Sequence, residues 1–151
     1  MATPSKNRSF SPETVLNGTF GEVWVNDEYM SEAIAFKAAI TLNKEEVKMT
    51  GTLKKGYKYT GTEGKGELKL HKVTSRFLKL ISDNIKKGKT TVATIQSNIA
   101  DPDALDGGNE MISISDAVFD EVTLADWEAG KLGEETIPFT FGEWEINDVI
   151  G

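Results

Sequence analysis

The chain has no cysteine among its 151 residues and a single histidine, His71. The first absence excludes disulfides and every zinc site built on thiolates. The second leaves a Ser-His-Asp triad or a histidine metal cluster only one place to stand. His71 falls on the polar side of the alternating stretch ELKLHKV, which suits a surface position. No window approaches the roughly 20 apolar residues that a membrane helix needs. The first ten residues, MATPSKNRSF, lack an apolar core of signal-peptide length. We therefore expect a soluble protein folded in the cytoplasm. Basic residues nearly vanish late in the chain. Residues 100–151 hold one, Lys131, against fourteen acids.

The missing bases are concentrated elsewhere. Residues 37–89 carry fourteen of the seventeen Lys and Arg and five acids, a balance of +9 within a chain of net charge −7. Such division can serve a nucleic-acid or membrane surface, or a segment seeking its opposite charge. Two readings stay open. The two sets pair within one fold or face water. Alternatively, copies bind basic surface to acidic surface, a heterologous contact that builds rings or filaments.

Periodicity predicts a mainly β protein. Strands are expected over 19–25, 33–42, 67–73, 90–99, 111–119, 122–124 and 137–141, the first two as a hairpin across the Asn26-Asp27-Glu28 turn. Pro138 puts the last strand at an edge or a bulge. One helix is expected over about 75–87, with Thr74 or Ser75 as N-cap, Phe77, Leu78, Ile81 and Ile85 on one stripe, and Gly88 just past its end. The sum is an antiparallel β-sandwich or barrel of about seven strands with one flanking α-helix. Residues 1–16 read as an N-terminal arm and 17–151 as one domain.

The stretch GTLKKGYKYTGTEGKGELKL, residues 51–70, holds five glycines and five lysines. It is not a phosphate loop. Gly51 and Gly56 have Walker spacing, but Tyr57 stands where lysine must be. Gly61, Gly64 and Gly66 reverse the dinucleotide order and precede a strand. The loop DPDALDGGNE fails the calcium-loop register, because Asp106 falls where glycine and Ile112 where glutamate is needed.

Residues 43–66 then remain without a core face. That is longer than an ordinary loop. About 12 residues out and back, at roughly 3.3 Å each, make a protruding hairpin arm reaching some 40 Å. It carries Lys44, Lys48, Lys54, Lys55, Lys58 and Lys65 with the interface-prone Tyr57 and Tyr59. Gly51, Gly56, Gly61 and Gly64 mark its bends. From residues alone, three function classes are open. One is a self-assembling structural protein. Another is a monomeric ligand-binding β-barrel stacking a sugar or nucleotide on Trp24, Trp127 or Trp144. The third is a small hydrolase using carboxylates among Asp126, Glu128, Glu134 and Glu135.

Four long segments carry a resemblance: NGTFGEVWVN (17–26), ITLNKEEVKMTG (40–51), GKGELKLHKVTSRF (64–77) and DEVTLADWEAGKLGEETIPFTF (120–141). They resemble the tail tube proteins of contractile phage tails, of the PBSX-prophage type also found in R-type bacteriocins such as diffocins. The resemblance covers about Asn17 to Glu145. It implies hexameric rings whose sheets join into one lumen wall, and stacking in which the 43–66 arm reaches the adjacent ring. It implies no enzyme site and no cofactor. It implies as partners the chain itself, a sheath outside, a tape-measure protein inside, baseplate and tail-terminator proteins, and DNA only as non-specific cargo. On this reading the arm lysines seek an acidic surface at Asp126, Glu128, Glu134 and Glu135 of a neighbouring copy. Thr91, Thr94, Ser113 and Ser115 are lumen candidates on their small polar character.

Overall fold

A computed structural model describes residues 3–5 and 9–151. The strands are β1 (Gly21–Val25), β2 (Glu28–Tyr29), β3 (Ala33–Val47), β4 (Gly56–His71), β5 (Val92–Ile99), β6 (Glu110–Phe119), β7 (Glu134–Phe141) and β8 (Glu143–Asp148), with one helix, α1 (Arg76–Lys86), between β4 and β5. All eight strands belong to one antiparallel sheet in the order β2-β1-β5-β6-β7-β4-β3, with β8 also paired to β6. The sheet curls until β3, its last strand, faces β6 and β8 across an open seam of about 460 Å³ lined by Phe36, Ile40, Ile112, Trp144 and Ile146. It is a half-open barrel.

The expected hairpin of the first two long strands is not formed. Asn26 and Asp27 both take positive φ, 52° and 66°, the two-residue hairpin turn that matches strand twist. They return the chain into β2 at once, Val25 opposite Glu28. Asn26 is locked there by Thr94, whose carbonyl accepts its N–H at 2.8 Å and whose own N–H donates to Asn26 Oδ1 at 3.0 Å. β1 therefore pairs with β5, and β3 is left to pair with β4.

The core lies on the concave side of the sheet under α1. Phe139, Leu68, Ile95 and Ile114 are essentially sealed from water. Phe77 and Ile81, one helical turn apart, press α1 onto it, with Phe77 edge-on to Phe119 at 5.9 Å. Ile85, expected on this stripe, is exposed. Ser75 is the N-cap but its side chain makes no capping bond. Arg76 fastens the helix start instead, with ion pairs to Glu32 at 2.8 Å and Glu28 at 2.9 Å, the latter without hydrogen-bond alignment. Gly88 ends the helix at φ +70°, as expected of that position.

Residues 122–124 form no strand; Val122 packs on the core from a loop. β7 and β8 form one path bent at Gly142. It pairs with β4 as far as Gly64↔Phe141, then follows β6. A bulge at Asp116, φ +54°, bends β6 to match. Pro138 sits inside the sheet. Its carbonyl accepts from Asp120 N–H at 2.9 Å, so its missing N–H falls on the same side, at the end of the β6 ladder just past Phe119↔Phe139. The proposed N-terminal arm, 1–16, lies partly outside the described residues; Pro12–Thr14 is a 3₁₀ turn. Beyond it, Asn17 N–H is held by buried Asp101 at 2.9 Å. Asp101 is thus a buried structural acid.

Gly64 and Gly66 are not bends. They lie flat in β4 beneath the rings of Phe141 and Phe139. A Cβ at Gly66 would come within 2.5 Å of the Phe139 ring and collide with Lys37 O, whereas one at Gly61 would have nothing closer than 3.9 Å. Gly66→Ala is expected to cost about 1–3 kcal/mol of stability by overpacking, and Gly61→Ala under about 0.5 kcal/mol. Urea unfolding of both variants checks the contrast.

Candidate functional site: an unsupported hairpin arm

β4 is 16 residues long, about 50 Å at roughly 3.3 Å per residue. From His71 to Gly64 it lies between β3 and β7. From Glu63 to Gly56 it pairs with β3 alone, down to Val47↔Gly56. The expected arm is therefore a two-stranded ribbon, rooted at Gly64 and about 25 Å long before its end loop. No residue of 41–63 is buried. A bulge at Thr60, between the pairs Asn43↔Gly61 and Lys44↔Tyr59, adds twist.

One face of the ribbon continues the core side of β3. Along it run Ile40, Leu42, then Lys44 opposite Tyr59 and Glu46 opposite Tyr57. The Lys44 ammonium lies 5.1 Å from the Tyr57 ring centre. Leu42, Tyr57 and Tyr59 are all exposed. At the end loop Gly51 turns the chain at φ +76°, and Leu53 is as exposed as in an open chain, 104%. Residues 47–62 hold Lys48, Lys54, Lys55 and Lys58 and no acid. None of these four is in an ion pair among the described residues. Lys65 stands apart. It pairs with Thr140 inside the body of the sheet and contacts Glu63 at 3.3 Å, so it is not part of the arm.

At the other end of β4, His71 pairs with Glu134, and Lys72 N–H donates to Gly133 O at 2.9 Å. The loop 120–133 covers this pole. Trp127 and Leu132 stand out from it, 85% and 89% exposed.

The convex face over β1, β5, β6 and β8 is mainly polar, with Trp24 beside Gln96 and Met111 beside Asn98 among its apolar members. Cross-strand pairs put Gln96 beside Ser113, Glu145 beside Ser113, and Glu143 beside Ser115. Ser113 Oγ donates to Asn147 Oδ1 at 2.6 Å. Glu22, Glu143 and Glu145 lie on these strands, which contain no Lys or Arg.

The model of the phage tail tube protein family matches residues 8–148. The chain belongs to that family. It is 31% identical over 139 residues to the phage-like element PBSX protein XkdM of Bacillus subtilis (strain 168), covering 91% of this chain and 94% of the relative. Its fold resembles a chain in the sheath–tube complex of the extracellular contractile injection system PVC, with a TM-score of 0.70 at 12% identity, covering 93% of this chain and all of the other. A chain of the anti-feeding prophage baseplate matches with a TM-score of 0.60 at 14% identity over 97% of each.

For a tail tube chain, a structural component and not an enzyme, several expected site residues change role. Glu134 and Glu135 already have partners within the chain. Glu134 meets Lys69 at 3.2 Å, and Glu135, 5% exposed, meets Lys72 at 3.3 Å. Asp126 and Glu128 stay on the surface, Glu128 beside Lys131 at 3.1 Å. The four acids thus form no desolvated pair in a cleft, as a hydrolase would need. Thr91 is not a lumen residue. It is buried and accepts a 2.9 Å bond from Asn84 of α1. Thr94, Ser113 and Ser115 share the polar convex face. No cluster of three or more metal-binding side chains occurs among the described residues.

Sequence reasoning weighed Trp127 with the other tryptophans as a ligand-stacking residue and passed over Leu132; both are displayed on the surface. The signal was there in a tryptophan set in a strongly acidic loop, ADWEAGKLGE. Glu135→Ala is expected to lower stability by about 1–3 kcal/mol, because it removes a buried ion pair. Asp126→Asn is expected to leave it within about 0.5 kcal/mol. Denaturant midpoints of the two variants check that Glu135 is structural and Asp126 is not.

Proposed function

We propose that the chain closes into six-membered rings that stack into the hollow inner tube of a contractile tail, in a phage or an R-type bacteriocin. The observation that carries this reading is the arm. An isolated two-stranded ribbon is marginal in water, and this one exposes Leu42, Val47, Met49, Leu53, Tyr57 and Tyr59. Its apolar and basic side chains are satisfied only against another copy, in the adjacent ring.

The outer edge of β3 fits ring closure. It is 15 residues long and unpaired in the single chain. A long open edge is a hazard for a monomer and a ready joint for a polymer. The polar convex face fits the bore. Thr94, Ser113 and Ser115 with Glu22, Glu143 and Glu145 would line it, and their negative field repels phosphate. DNA or ions then pass as cargo with no base or ion specificity. A tape-measure protein occupies the bore during assembly in the host cytoplasm, the sheath surrounds the tube, and terminator and baseplate proteins close its ends. Sheath contraction drives the tube through the target envelope.

Negative-stain microscopy of the concentrated purified chain tests this. Rings or tubes about 100 Å or less across, six domains each about 40 Å wide, are expected. A monodisperse monomer would overturn the reading in favour of a ligand-binding barrel. Replacing residues 42–62 with Asn-Gly joins Thr41 to Glu63, which face each other, through a two-residue turn. This variant is expected to keep a cooperative thermal melt and to lose the tubes. Tubes without the ribbon would show that the arm is not the connector.

A further inference from the structure

We infer that the loop joining β6 to β7 is the receptor for the arm tip of a second copy, with Leu53 seated between Trp127 and Leu132. The inference rests on the tube reading and names the surface that the arm engages.

Position comes first. The arm tip lies beyond Gly56 at one end of β4, and the loop lies beyond His71 at the other. A contact between opposite poles cannot be made within one chain and cannot be isologous. Once made, it leaves a free tip and a free loop, so it repeats along one direction. An axial polymer needs that geometry.

Chemistry comes second. Leu53 has no contact that shields it, and Met49 beside it is half exposed. The loop presents Trp127 and Leu132 with Leu124 nearby, all well outside the core cluster. Asp126, Trp127, Glu128, Lys131, Leu132 and Gly133 border an open depression of about 530 Å³, large enough for an aliphatic side chain and its neighbours. A tryptophan ringed by polar groups is the residue type on which interface energy concentrates.

Charge comes third. The tip segment 47–62 has four lysines and no acid, and the loop 120–133 has Asp120, Glu121, Asp126 and Glu128 against one base, Lys131, which already contacts Glu128. Lys54 and Lys55, adjacent to Leu53, meet Asp126 and Glu128 when Leu53 enters the depression. Glu135 is buried against Lys72 and does not take part, whereas Glu134, paired with Lys69, stands half exposed at the rim of the depression. Opposite fields around an apolar centre give both register and speed of encounter.

The absence of cysteine makes the test clean. Leu53→Cys and Leu132→Cys are introduced together, tubes are formed, and a short bismaleimide is added. A flexible linker avoids the strict geometry of a disulfide. The expected result on a denaturing gel is a ladder of trimers and higher species from the double variant, and uncoupled chains from either single variant. Tubes that form normally but yield no ladder would overturn the receptor assignment and leave the tube reading standing. Failure of the unsubstituted chain to form tubes would overturn both. As a second readout, Trp127→Ala is expected to raise the critical concentration for assembly at least tenfold with an unchanged thermal melt of the monomer. An unchanged critical concentration would also overturn the assignment.

Discussion

The pairing of Gly64 with Phe141 is the last one that β4 makes with the body of the sheet, and the shape of the molecule beyond it follows from that stop. At Gly142 the β7–β8 path bends toward β6. Nothing then supports the remaining eight residues of β4 except β3. The aromatic rings that cap the core, Phe139 and Phe141, end at this same line. Hydrophobic burial stabilises the sheet on one side of it and is absent on the other. The ribbon is therefore at the low end of local stability, where segments open most readily.

Charge is distributed on the same plan. Within the body, basic and acidic groups meet: Lys69 with Glu134, Lys72 with Glu135, and Arg76 with Glu28 and Glu32. Exposed pairs of this kind add about 0–1 kcal/mol each, and the buried carboxylates depend on their partners. Of the two readings of the charge division, internal pairing thus holds for part of the body. The arm lysines have no ion-pair partner among the described residues, and neither do Lys37, Lys79, Lys86, Lys87 and Lys89. The unpaired arm lysines and the 15-residue open edge of β3 are each a cost to a single chain, and under the proposed function each is a joint between copies.

Much of the fold was legible in the sequence. Alternation located β3, β5, β6 and β7 to within a few residues, because each has one face in the core. The helix was legible from Phe77 and Ile81, and the ribbon from its lack of any core face. Pairing was not. Whether β1 turns into β2 or into β3 depends on a two-residue turn held by Thr94, a residue 68 positions away. β8 was missed although Trp144 and Ile146 alternate with Glu143 and Glu145; the segment is short, and its partner strand is set by the bend at Gly142. Gly64 looked like a bend of the arm, and only the rings stacked over it and Gly66 reveal flat strand glycines. Glu134, Glu135 and Thr91 looked like surface residues, since nothing local announces Lys69, Lys72 or Asn84 as partners.

The account stands on one claim, that the ribbon's unmet demands are met by another copy. Backbone hydrogen exchange in monomer and polymer measures this directly. Amides of residues 42–62 are predicted to exchange with little protection in the monomer and to become strongly protected in the tube, while those of 64–71 are protected in both. Ribbon amides that stay unprotected in the assembled state would contradict it.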